Sequence, residues 1–305
     1  MSDPTDIDAI ADPAGAAPGD EVLYERSGGM ARVTINRPQR RNAMTWDVIR
    51  ALRDAVAAAK LDEEVRVLVL TGAGTEAFCA GADLGGMMHG DSGRDGDKAG
   101  APAGSSADSA QPGSNLAPEA GFLDLHYSRG QLAALFEDLW HLGKPTIARV
   151  QGWAVAGGFG LAVACDMVVA SEEARFAATE VKVGLWPYMV TVPLLRAIPP
   201  KQALELMLTG RTVKAAEGER LGFVTRVYPA DQLDAAVDQL ATDVSKSSPV
   251  VTRLGLEAFY AVQDMAAPEA LAYLHAMLTL TTQTQDAAEG IAAFRERRPP
   301  QWQGR

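Results

Sequence analysis

The sequence is short of nearly everything that would mark a metal, redox or nucleic-acid protein. Its 305 residues hold two cysteines, Cys79 and Cys165, and four histidines, with no HExxH and no other metal-ligand spacing. Both cysteines lie in apolar runs and read as small buried hydrophobes in a reducing compartment. Positive charge is scarce: 28 Lys and Arg against 39 Asp and Glu leave a net charge of −11. That balance excludes the basic face of a nucleic-acid binder, although a few local arginines would suffice for a phosphorylated ligand. No run of 18 apolar, uncharged residues occurs, so no membrane span is expected. The opening segment, 1–19, is acidic and rich in Ala, Pro and Gly, without the basic and apolar regions of a signal peptide. It predicts a disordered lead-in, and the cytoplasm is the default location. A Walker A loop, a G-x-S-x-G elbow and internal repeats are also missing. Ala156-Gly157-Gly158-Phe159-Gly160 is a poor dinucleotide fingerprint, because Val163 stands where a small residue is needed.

What remains has the composition of a globular protein, 47% hydrophobic and 22% charged. Val22 and Tyr24 alternate before Ser27-Gly28-Gly29, and Ala31, Val33 and Ile35 alternate after it, which predicts a hairpin. Thr45 is placed to cap a helix whose apolar face is Ile49, Leu52, Val56 and Ala59. The nearly continuous apolar run Val65–Leu70 suits a strand covered on both faces. Thr146–Val150 and Met167–Ala170 read as further strands, with helix between them from Leu161 to Ala164. Alternation of strand and helix predicts an α/β core over 20–230. Within it, 85–121 is dense in Gly, Ser, Ala, Asp and Pro and predicts a flexible insertion. From 231 to 305 the pattern is helical, opening with Leu233, Val237, Leu240 and Val244 on one face.

Several short motifs occur in a fixed order. They are Arg37-Pro38 with Asn42-Ala43, then Phe78-Cys79-Ala80-Gly81-Ala82-Asp83-Leu84. Lys144-Pro145-Thr146-Ile147-Ala148 follows, leading into Gln151-Gly152-Trp153-Ala154-Val155-Ala156-Gly157-Gly158, then Cys165-Asp166. Phe176 to Gly184 with Glu180 inside, Leu208-Thr209-Gly210, and Leu221-Gly222-Phe223-Val224 complete the series. In this order and spacing the chain resembles the crotonase (enoyl-CoA hydratase/isomerase) family over about residues 20 to 305. The resemblance implies a spiral of β-β-α turns with a C-terminal helical region that packs in trimers, often paired into hexamers. It also implies a coenzyme A thioester as substrate, with no permanently bound cofactor and no metal. By motif, the backbone N–H groups of Ala80 and Gly157 would hold the thioester oxyanion. The nucleotide would lie near Arg37, Arg40, Arg41, Ala82, Asp83 and Leu84, with Phe294 and Arg297 contributed by a neighbouring subunit.

One departure matters. Hydratases of this family carry two glutamates; the second maps to Glu180, and the first maps to Gly160, which can neither transfer a proton nor hold a water. Trp186, Tyr188 and Met189 stand where a Gly-rich run is usual, and are either bulk in the acyl pocket or core. One carboxylate suits an isomerase, in which a single base moves a proton between two carbons. Hydration with a substitute partner such as Tyr188, or a side chain near the insertion (Asp124, His126, Tyr127), stays open. So does a protein of the same fold that binds acyl-CoA without catalysis.

Overall fold

The computed structural model describes residues 21–83 and 122–305, with side chains from 126 onward in the second span; the lead-in 1–19, the insertion 85–121 and Leu84 lie outside. The predicted hairpin is present: β1 (Val22–Ser27) pairs antiparallel with β2 (Met30–Ile35), turning through two glycines at positive φ. Parallel to β2 come β3 (Val67–Gly72), β5 (Thr146–Val150), β7 (Met167–Ser171) and β10 (Arg226–Tyr228), completing a six-stranded sheet. A smaller sheet holds β4 (Ala77–Cys79), β6 (Trp153–Val155) and β8 (Arg175–Ala177) in parallel, with β9 (Val213–Lys214) antiparallel at its edge. The chain lays one strand in the large sheet, one in the small sheet and then a helix. It does so three times: β3-β4-α2 (Phe122–Trp140), β5-β6-α3 (Gly157–Ala164) and β7-β8-α4 (Tyr188–Ala197). This is the spiral of β-β-α turns that the motif order implied.

Strand β3 begins two residues later than its apolar run. Val65 N–H closes the turn after α1 (Trp46–Leu61) on Asp62, and Arg66 N–H donates to Gly29 at 2.7 Å, so pairing starts at Val67. All six of its residues are buried. Leu68 and Leu70 face the main core with Ile49, Leu52 and Val56 of α1. Val67 and Val69 face the other way, onto Leu233, Val237 and Ala241 of α7 (Leu233–Ser245). The first helix of the C-terminal region is therefore an outer layer of the sheet. Arg149 grips its Asp234 through two bonds of 2.6 and 3.0 Å, and Arg32 holds Asp238 at 2.9 Å. Thr45 Oγ1 caps α1 by accepting from Val48 N–H, as predicted, and Lys144 Nζ donates to the Ala59 and Asp62 carbonyls at the other end. A cation there complements the helix dipole.

The remaining helices are α5 (Pro200–Thr209), α6 (Ala215–Leu221), α8 (Pro249–Val262), α9 (Ala267–Thr282) and α10 (Gln285–Glu296). Tyr260 of α8 donates its hydroxyl to Asp166, whose other oxygen accepts from the N–H and hydroxyl of Thr146 at 2.6 and 2.7 Å. The Cys165-Asp166 motif thus ties the last helices to the core. Helix α9 buries none of its residues and leaves Leu271, Leu274, Leu278 and Leu280 exposed. Among the described residues no helix is long and apolar enough to cross a membrane.

Helix α3 starts at Gly157, four residues before its apolar pattern, and meets β4 backbone to backbone. A Cβ at Gly158 would lie 2.3 Å from the Cys79 carbonyl oxygen and 2.8 Å from its Sγ. Gly158→Ala is therefore expected to lower unfolding free energy by about 3 kcal/mol, as overpacking against backbone does. Gly130→Ala, in α2 with nothing within 4 Å of the added atom, is expected to raise it by about 0.5–1 kcal/mol. Urea denaturation with unchanged m-values checks both.

Candidate active site

Strands β4, β6 and β8 are adjacent and parallel, with Cys79 opposite Ala154 and Val155 opposite Ala177. The chain therefore leaves all three at the same edge. Residues 80–83, 156–157 and 178–180 emerge side by side, the place where parallel sheets bind ligands.

At the first exit the geometry corrects one expectation. The N–H of Ala80 donates to the Arg41 carbonyl at 3.0 Å, so it is not available to a ligand. Two residues on, Gly81 O accepts from Met44 N–H and Asp83 N–H donates to Met44 O, both at 2.8 Å. In an extended segment successive peptide groups alternate in direction. Ala82 lies between these two bonds, so its own N–H points to the opposite side, where Ala82 is exposed and makes no hydrogen bond to the described residues. The unpaired donor is Ala82, not Ala80.

The second exit touches the first. Gly81, at φ +92°, would place a Cβ 2.9 Å from Val155 O and 3.5 Å from Gly157 N, so only glycine lets the turns approach. Ala156 adopts φ 51°, ψ −126°, a strained conformation for a residue with a side chain. Its N–H donates to Ala177 O, and its carbonyl accepts from Phe159 and Gly160. The Gly157 N–H, first of α3, has no partner among the described residues. It is one of the orphan donors that make a helix start receptive to negative charge.

Glu180 occupies the third exit, at the start of the 3-10 turn Glu180–Val183. Its side chain is half-buried, and Oε2 is fully buried with no hydrogen-bond partner among the described residues. Burial raises its pKa, opposed only by a bond from its own backbone N–H. A buried carboxylate oxygen with no partner among the described residues marks a functional-site candidate rather than a structural ion pair.

Where a second glutamate would stand, the surroundings are apolar and tight. A Cβ on Gly160 would lie 3.1 Å from Phe136 Cζ and 3.1 Å from Val190 Cγ2. Leu132, one turn before Phe136 on α2, reaches within 3.1 Å of the corresponding point on Gly157, and Met44 Cε within 3.5 Å. These four apolar side chains wall the site and were not singled out from the sequence. The i, i+4 pair Leu132 and Phe136 was readable only as a core face.

The other expected residues scatter. Arg37 is only 8% exposed and faces inward: Nε meets Glu21 at 2.8 Å, and Nη1 meets Ala43 O at 2.6 Å and Asp83 at 3.2 Å. Its charge is neutralised inside the fold, which corrects its expected place as a phosphate ligand. Arg40 is half-buried in the turn Pro38–Arg40, and Arg41 is exposed, with Nε 4.0 Å from Glu76. Trp186 packs on the main core. Tyr188, at 71% exposed, and Met189 lie on the outer face of α4, so Tyr188 is not a buried partner for Glu180. Phe294, 86% exposed, and Arg297 stand at the end of α10. Asp124 has no described side chain, and His126 and Tyr127 are exposed at the start of α2.

A β-β-α spiral whose strands β4, β6 and β8 end at one common edge defines a crotonase-like fold. The chain matches the family described as Enoyl-CoA hydratase/isomerase over residues 25–102 and 122–305, and it belongs to that family. A Thermus thermophilus relative named as an enoyl-CoA hydratase is 36% identical over 281 residues, covering 92% of this chain and 100% of the relative. The 2,3-dehydroadipyl-CoA hydratase of Escherichia coli is 31% identical, covering 93% and 99%. The crystal structure of an enoyl-CoA hydratase from Mycobacterium smegmatis superposes with a TM-score of 0.78 at 29% identity, covering 92% of this chain and 98% of that one.

The position of Glu180 makes a pH prediction. Its folded pKa is raised, so the buried charge costs stability above that pKa, and the cost vanishes below the unfolded value near 4.3. Glu180→Gln is expected to raise the melting temperature at pH 7 and to lose this advantage below about pH 4. Calorimetric melts of both proteins across that range measure it; equal melting temperatures at pH 7 would contradict a desolvated carboxylate.

Proposed function

We propose that this member of the family moves a proton on an enoyl-CoA, with Glu180 as its single acid/base and the N–H groups of Ala82 and Gly157 as oxyanion donors. Glu180 takes a proton from the carbon next to the thioester carbonyl, and the electron pair passes into the carbonyl oxygen. The two N–H groups hold that charge as an enolate. Glu180 then returns the proton two carbons away as the double bond moves into conjugation, so no water is consumed. The observation that carries this reading is the unpartnered, buried Oε2 of Glu180, in a chain with glycine at 160 and apolar Phe136 and Val190 against it. A dry wall suits proton return better than water activation.

Relatives named as hydratases favour a second reading, in which Glu180 alone activates water. Arg40 and Arg41 are the candidates for the nucleotide phosphates. The uncovered leucines of α9, with Phe294 and Arg297, support a C-terminal region, 231–305, that packs against further copies as a trimer or a pair of trimers.

Parallel assays of 3-enoyl-CoA isomerisation and 2-enoyl-CoA hydration separate these readings. Isomerisation is expected to exceed hydration and to fall at least about 100-fold in Glu180→Gln. Its acid limb should lie above the usual glutamate range, since burial raises the pKa of Glu180. Gly160→Glu is expected to lose stability without gaining hydration, because the new side chain meets Phe136 and Val190 at once. Tight binding of acyl-CoA with neither activity would establish a non-catalytic binder instead.

A further inference from the structure

The structure assigns Arg37 a role other than phosphate contact: it is a positioning residue that holds the Ala82 N–H in place. This inference rests on the reading of Ala82 as an oxyanion donor. Ala82 sits in a short segment, 80–83, that belongs to no regular strand. Among the described backbone bonds, those that hold it are an isolated bridge to Met44 and the bond from Ala80 to Arg41. The segment that holds it, 41–44, is itself irregular, with Arg41 and Asn42 both at positive φ. Such a pair of loops has no sheet to fix it, and something must set their separation.

Arg37 spans both. Its Nη1 donates to the Ala43 carbonyl at 2.6 Å on the holding segment and to Asp83 Oδ2 at 3.2 Å, one residue after Ala82. Its Nε anchors on Glu21 at 2.8 Å. Its own backbone N–H donates to Asn42 Oδ1 at 3.0 Å. Asn42 is fully buried, and its Nδ2 donates to Ala73 O at 2.9 Å and Ala77 O at 2.7 Å, reaching the base of β4. One guanidinium and one amide therefore fix segment 41–44 and segment 80–83 against each other. The planar fork of arginine suits this task, because it directs several donors at once in fixed directions. The motif Arg37-Pro38 with Asn42-Ala43 is accounted for as a clamp behind the donor rather than as a cradle for the nucleotide.

The test uses the full-length protein and a saturated acyl-CoA labelled at the thioester carbonyl carbon. Isotope-edited infrared spectra report how strongly the bound carbonyl is polarised, and titration reports affinity for that ligand and for its dephospho-CoA counterpart. In Arg37→Gln, the carbonyl shift seen in wild type should shrink and turnover should fall about 10-fold or more, as misplacement of a catalytic group does. Affinity should stay within about 3-fold, with the preference for the phosphorylated ligand intact. Asp83→Asn, which keeps the shape and removes one charge, should show the same pattern in milder form and covers the case in which Arg37→Gln does not fold. Arg37→Lys should not restore the shift. Loss of the phosphate preference with the shift retained would overturn the proposal in favour of phosphate contact, and so would an unchanged shift in both variants. Absence of any shift in wild type would instead refute Ala82 and Gly157 as donors.

Discussion

The contact between the start of α3 and the end of β4 is the constraint on which the site depends. Gly158 lies so close to Cys79 that no side chain fits between them. That approach brings Gly157 beside Gly81, so the exits of two separate β-β-α turns meet. Two donors from one loop could not converge this way, since successive peptide groups in an extended chain point in opposite directions. The glycines are spent on proximity rather than on flexibility. Cys79 pays the chemical consequence: fully enclosed, its thiol is pushed up to about 12 and is inert as a nucleophile.

The same packing explains why one carboxylate stands alone. Helix α2 lies along α3 through Leu132 at Gly157 and Phe136 at Gly160, four residues apart on one helix face against three on the other. Only small residues on α3 permit that approach. A side chain at position 160 would press on Phe136 and Val190 at 3.1 Å, so glycine there and the tight apolar wall belong together. Burial outweighs the bond from Glu180's own backbone N–H and moves its pKa in the direction a base needs at neutral pH.

The strands and their alternation were legible because apolar period and turn chemistry both act locally. The hairpin at Gly28-Gly29, the Thr45 cap and the doubly covered β3 all follow from neighbours in sequence. The start of α3 was not legible, because Gly157-Gly158-Phe159-Gly160 has weak helix propensity and forms helix only where tertiary packing rewards it. Glu180 was found by motif, and its isolation by the absence of a partner at Gly160. That the Ala80 N–H is taken was not legible, since Ala80 and Ala82 are the same residue type in one tetrapeptide. Only the bonds to Arg41 and Met44 tell which N–H is taken. Arg37 was misread for a similar reason: an arginine's sequence context does not reveal whether carboxylates such as Glu21 and Asp83 will meet it.

Locally the chain agrees with itself almost everywhere, and its disagreements cluster. Ala156 sits at φ 51°, ψ −126°, where glycine would be comfortable, and such a conformation costs of order 1–3 kcal/mol. One residue away is an N–H without a partner, and Glu180 holds an unpartnered buried oxygen. Each is unfavourable alone, and each is adjacent to the same strand edge. A fold selected only for stability would place glycine at 156 and a neutral side chain at 180, and neither change would disturb the core. Strain, orphaned donors and an unpaired acid are useful together only if a ligand supplies what all of them lack: an oxygen that accepts two N–H bonds as it gains charge, and a carbon acid beside it. A thioester that forms an enolate has both.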